Sequence, residues 1–135
     1  THGTAFVAEG AILGHAVQIM AGAIIQPGAR LGDFVIVNTG AQIDHDCVVG
    51  DYAFIAPGAV LLGGAKVGRF SFIGANATVL LGHEVGEDAM VGAGAVVTRD
   101  LPARCVAYGN PARVMRMKLP EELSIDAQEA PDSQT

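Results

Sequence analysis

At 135 residues the chain is long enough for one domain with a real core; half of it is apolar and only 16% is charged. A formal net charge of −6 argues against a nucleic-acid partner, and no apolar run approaches the roughly eighteen residues of a membrane span. Two cysteines, Cys47 and Cys105, are too few for a disulfide framework and fit a reducing, cytoplasmic setting.

From Val7 onward every sixth residue is aliphatic, through Leu13, Ile19 and Ile25 to Val97, sixteen positions without an insertion. Four residues beyond most of them stands a small side chain, as at Ala11, Ala23, Ala29, Ala41 and Cys47. A helix needs apolar spacings of three and four, and long two-residue alternation is also missing. Short strands joined by tight turns fit instead, stacked as a parallel β-helix. A second period, of eighteen, marks the corners. Gly14, Gly32, Gly50, Gly68 and Gly86 form one set, and Gly10, Gly28, Asp46, Gly64 and Gly82 the next. Gly22, Gly40, Gly58, Asn76 and Gly94 complete the third. Gly, Asn and Asp are the residues that tolerate a left-handed turn conformation. Each coil therefore has three sides and three corners. Residues 1–102 hold a little over five coils, with stacked residues about 4.8 Å apart.

The residue before each aliphatic one points outward. On one side that column reads Gln18, Ile36, Phe54, Phe72 and Met90, beside a corner carrying Phe34, Tyr52 and Phe70. So long an outward apolar stripe predicts a subunit interface. From Ala103 the period stops. "YGNPARVMRMKLP" reads as a turn and a short C-terminal helix from about Ala112 within 103–119, and 120–135 as an acidic, disordered tail. Five of the eight Lys and Arg (Arg99, Arg104, Arg113, Arg116, Lys118) fall within 99–118 against one acid, Asp100, which predicts an anion-binding end of the coil.

One corner carries Asp44-His45-Asp46, and eighteen residues on Gly63-Gly64 offers no side chain above the histidine. A ligand there would meet both the imidazole and bare backbone N–H groups. Histidine is the usual general base near neutral pH, and a carboxylate beside it orients the ring. From these residues alone a polar turn residue is the ordinary reading of His45, a left-handed corner that of Asp46 and a solvated flank that of Asp44. Asn38 reads equally as a plain corner residue. Cys47 points inward as a core filler. His83 replaces a small inward residue and reads as a satisfied or edge-exposed histidine.

The unbroken hexads, "NTGAQIDHDCVVGDYAFIAPGAVLLGG", "VGAGAVVT" and "GNPAR" resemble the left-handed β-helix, hexapeptide-repeat acetyltransferases of amino sugars. Within these the sequence is most similar to the sialic-acid O-acetyltransferase and UDP-4-amino-sugar N-acetyltransferase group, over roughly residues 2–117. Left-handedness comes from this resemblance, since the general crossover rule favours the opposite hand. The resemblance implies a homotrimer with sites between subunits, acetyl-CoA as cosubstrate, no metal, and a sugar or nucleotide-sugar acceptor. It implies that His45 is the general base, that Asp46 strengthens it, and that Asn38 and Asp44 lie by the acceptor. It further implies that the backbone at Gly63 and Gly64 receives the acetyl carbonyl, and that Phe54, Ala75 and Ala93 lie along coenzyme A. Arg113, from the basic cluster above, is the candidate contact to the coenzyme A phosphates. Phe54 stands where the family often has a second histidine, and the chain begins about where the family's small N-terminal α/β domain would end. Two other classes share the fold. A noncatalytic β-helix would not bind acetyl-CoA, and a γ-class carbonic anhydrase would need three zinc-binding histidines that His2, His15, His45 and His83 do not space correctly.

Overall fold

An aliphatic residue every sixth position, with a small one four beyond it, yields two-residue strands recurring every six residues in the computed structural model, which describes residues 1–124. The strands stack into three parallel sheets, one per side of a left-handed β-helix. The first side holds six strands from Phe6–Val7 to Val96–Val97, and the second holds five from Ile12–Leu13 to Glu84–Val85. The third holds six from Gln18–Ile19 to Cys105–Tyr108 and ends on a seventh, Arg113–Met117. Partners lie eighteen residues apart, as in Phe6 with Ile24 and Phe72 with Met90. Ile25, Ile43, Ile55 and Ile73 point inward with no exposed surface. Where two sides converge there is space for little more than a methyl group, so Ala23, Ala41, Ala59, Ala77 and Ala95 are equally enclosed.

Two of the three corner sets take the left-handed conformation at the predicted residues, including Asp46 (φ 60°) and Asn76 (φ 57°). The third does not. Its left-handed residues are Ala16, Phe34, Tyr52, Phe70 and Asp88, two positions beyond the glycines expected there. Gly50 serves close approach instead, because a Cβ on it would come 2.5 Å from Arg69 N. A left-handed aromatic costs about 1–2 kcal/mol. Stacking offsets that, with ring centroids 4.9 Å apart for Phe34–Tyr52 and 5.0 Å for Tyr52–Phe70.

The C-terminal part differs from the sequence reading. The period does not end at Ala103. It drops two residues after Val97, so that Val85 pairs with Leu101 and Met90 with Val106, sixteen apart, and a sixth coil closes. The short helix expected from Ala112 is a strand: Arg113–Met117 pairs antiparallel with Cys105–Tyr108. A segment this brief cannot nucleate a helix alone, whereas the open edge of the last coil supplies ready backbone partners. The first residues of the expected disordered tail are ordered. Pro120–Glu122 forms a 3-10 turn; Glu122 grips Arg116 through two bonds of 2.6 and 2.8 Å, and Ser124 N donates to Asp88. Residues 125–135 of that tail lie outside the described residues.

Candidate active site

The corner between the first and second sides carries the triplet, and local geometry explains its form. Asp46 takes the left-handed position, which turns its carboxylate back toward the preceding side chain. Its Oδ2 lies 3.1 Å from His45 Nδ1. Gly28, one coil below, leaves the room that carboxylate occupies, since a Cβ there would strike Asp46 Oδ1. Asp44 Oδ1 accepts the backbone N–H of His45 at 2.8 Å and fixes the turn. The imidazole itself stays accessible, with 59% of the side chain exposed.

Above it the Gly63 gap is as the sequence suggested. A Cβ on Gly63 would lie 2.6 Å from His45 Nε2 and 3.1 Å from Leu81 Cδ2. The ring therefore covers the glycine from below and Leu81 flanks it from above. In this outward column Glu9, Pro27, His45, Leu81 and Arg99 are exposed, and Gly63 alone is buried. Its backbone N–H has no acceptor among the described residues. A buried, unpartnered donor beside an imidazole is a place to receive an anionic or polarised oxygen. Gly64 N is committed to His45 O at 2.9 Å, so of the two glycines Gly63 carries the available donor.

One chain thus brings together Asp44, His45, Asp46, Gly63 and Gly64. It does not bring in the rest. Asn38, Ala75 and Ala93 lie on the next edge, between the third and first sides, where Asn38 Oδ1 accepts Thr39 N at 2.7 Å. Phe54 stands on the third side, stacked on Phe72 with centroids 5.1 Å apart. Arg113 begins the antiparallel strand and is exposed.

The basic cluster is largely neutralised, contrary to its count along the sequence. Arg104 faces Glu87 at 3.8 Å, Arg116 is held by Glu122, and Lys118 meets the buried Asp88 at 3.0 Å. Arg99 and Arg113 remain without an ion pair among the described residues. His83 is satisfied, its Nδ1 3.1 Å from Asp100 Oδ1. Asp100 also accepts Glu84 N at 2.9 Å, mending the ladder where two residues are lost, and these two bonds hold its carboxyl below the usual range. Sequence reading missed the parts played by Leu81 and Gly28. The available signal was their place in the eighteen-residue register, Gly28 directly below Asp46 and Leu81 directly above Gly63. No group of three or more His, Cys, Asp or Glu among the described residues is placed to hold a metal ion.

Comparison with known proteins follows the same lines. A family model described as bacterial transferase hexapeptide (six repeats) matches residues 29–63 and 46–81, and one for the hexapeptide repeat of succinyl-transferase matches 64–99. Among solved structures, the acetyltransferase domain of PglB from Neisseria gonorrhoeae FA1090, also solved with acetyl coenzyme A, is 41% identical with a TM-score of 0.84. That alignment covers 84% of this chain and 56% of the other. PerB from Caulobacter crescentus, in complex with CoA and GDP-perosamine, is 43% identical with a TM-score of 0.84, covering 85% and 56%. WeeI from Acinetobacter baumannii AYE is 32% identical with a TM-score of 0.62, covering 81% and 57%. The chain spans little more than half the length of these relatives. A search of curated proteins gave no match.

Proposed function

The chain belongs to the hexapeptide-repeat transferase family, and from that premise we propose that it transfers the acetyl group of acetyl-CoA to an amine of a nucleotide-linked sugar. The observation that carries this reading is the imidazole of His45 packed against Gly63, a buried residue whose N–H has no partner among the described residues. A carboxylate only accepts, so its bond to Nδ1 puts the ring proton there and leaves the Nε2 lone pair facing the gap. His45 then takes a proton from the acceptor amine as the nitrogen bonds to the acetyl carbon. The Gly63 N–H receives the charge that develops on the acetyl oxygen. The carbon–sulfur bond breaks, and coenzyme A leaves as a thiolate that recovers the proton from His45. An amine is favoured over a hydroxyl because one of the similar solved structures is a perosamine N-acetyltransferase with CoA and GDP-perosamine.

Asn38, Phe54, Ala75 and Ala93 enter the same reaction through a homotrimer, in which a second copy sets its own edge against the His45 corner. Support comes from the outward stripe of Ile36, Phe54, Phe72 and Met90, with Phe72 still 36% and Met90 37% exposed in the isolated chain. Arg113, without an ion pair among the described residues, serves the coenzyme A phosphates. Two unpaired cysteines suit a cytoplasmic enzyme. The test is thiol release from acetyl-CoA against a panel of nucleotide amino sugars, sialic acid and simple amines. Replacing His45 with alanine should lower turnover about 10²–10⁴-fold while acetyl-CoA binding persists. Near-wild-type turnover in that variant would move the base elsewhere.

A further inference from the structure

The thiol of Cys47 follows the catalytic triplet directly and has no part in the reaction as described. It is fully buried, yet it is not merely filling space: Sγ lies 3.2 Å from the carbonyl oxygen of Leu62 and 3.7 Å from that of Leu61. The nearer carbonyl belongs to the peptide whose other end is the Gly63 N–H. In a trans peptide these two groups point in opposite directions. A donor that draws the Leu62 oxygen inward therefore turns the Gly63 N–H outward, toward the His45 ring. The same bond polarises the peptide and strengthens its N–H as a donor.

The same inward position in other coils is occupied by Ala11, Ala29 and Ala65, which can donate nothing, and by His83, whose Nδ1 is engaged with Asp100 instead. Fifteen residues ahead of Ala11 and Ala65 the corner carbonyl is served by the turn bond alone, as Ala29 N serves Gln26 O at 3.4 Å and His83 N serves Leu80 O at 3.2 Å. Leu62 has that bond too, from Ala65 N at 3.0 Å, and Cys47 adds a second. Ser71 makes an equivalent bond to Gly86 O, 2.6 Å, fifteen residues ahead at another corner. The geometry is thus general to this fold, and what distinguishes Cys47 is the peptide it holds. Burial pushes the thiol up to about 11, so it stays protonated and able to donate across neutral pH.

We propose that Cys47 is a positioning residue, its thiol holding the Leu62–Gly63 peptide so that the Gly63 N–H is aimed at the acetyl oxygen. The inference rests on the acetyltransferase reading for its consequence but not for its geometry, and the test separates the two. Cys47→Ala introduces the side chain already present at residues 29 and 65, and Cys47→Ser restores a donor. Amide NMR spectra of the two variants and the wild type are compared without substrate. The Gly63 resonance should move upfield in the alanine variant and return in the serine variant, while that of Gly82, bonded to Gly63 O at 3.1 Å, moves less. In turnover, the alanine variant should lose roughly threefold to tenfold in kcat with little change in KM for acetyl-CoA, the weight of one modest hydrogen bond. The serine variant should recover most of that loss. An unmoved Gly63 amide in Cys47→Ala, or equal impairment in both variants, would overturn the proposal. If wild-type protein acetylates nothing on the panel while the amide responds as stated, the acetyltransferase reading fails and the peptide-holding role stands.

Discussion

Gly63→Ala adds one methyl group at the point where the site is tightest. Gly63 is not among the positive-φ residues, so alanine suits its backbone. The new Cβ would start 2.6 Å from His45 Nε2 and 2.7 Å from Cε1, whereas ordinary contact begins near 3.4 Å. The ring must therefore withdraw by about 1 Å, and it can, because its side chain is 59% exposed. Folding should change by less than about 1 kcal/mol, since the ring moves into solvent and no inward aliphatic residue is disturbed. Catalysis should not escape. A misplacement of about 1 Å can cost on the order of 10²-fold, and here it separates the base from the N–H donor. Thiol release measures the loss, and thermal melting with circular dichroism confirms the fold. A folded variant working within threefold of wild type would refute the pairing of His45 with the Gly63 gap.

Two further outcomes are expected. Phe72→Glu puts a charge in the centre of the outward stripe, where completing the burial of a Phe is worth up to about 1.5–3 kcal/mol at each of three copies. For the proposed homotrimer, light scattering should show the mass falling toward monomer, and an unchanged mass would remove the stripe from the interface. Glu122 has its carboxyl drawn down to about 2 by the hydrogen bonds from Arg116, with Leu119 N adding to them. A depressed carboxyl stabilises the fold above its unfolded value, near 4.5, and loses that effect as pH falls toward 2. The melting difference between wild type and Glu122→Gln should therefore be present at pH 6 and close on acidification. A difference constant from pH 6 to pH 2 would mean that the Arg116–Glu122 pair does not anchor the C-terminal segment.

The parts of the fold that were legible in sequence are those set by contacts at a fixed interval. Ile25, Ile43 and Ile55 repeat because every coil asks for the same inward residue, so a period of six identifies sides and one of eighteen identifies corners. Reasoning failed where the interval changes. Between Val97 and Leu101 two residues vanish, and Asp100 supplies by its side chain the acceptor that a regular coil would supply by its backbone. Along the sequence Asp100 is one more polar residue near the end of the coil, and the strand at Arg113–Met117 is visible only once the open edge of Cys105–Tyr108 exists. The left-handed aromatics failed differently. Glycine was expected at those turns on conformational grounds, and stacking along the column outweighs that preference at Phe34, Tyr52 and Phe70.

The same distinction governs the site. His45 and Gly63 could be paired from sequence because they sit eighteen residues apart, and the structure puts them in contact range. The basic cluster could not be judged that way, since Glu87 and Asp88 reach Arg104 and Lys118 from a different coil and cancel charges that look free along the chain. Asn38, Ala75 and Ala93 mark a third situation. Their edge is separated from the His45 corner by the whole first side of the prism, so no rearrangement of side chains within one chain could join them. In the proposed homotrimer a second copy supplies the joining element. The apolar stripe on the third side then belongs to the same argument as the histidine, because the contact it makes decides whether the second edge reaches the site.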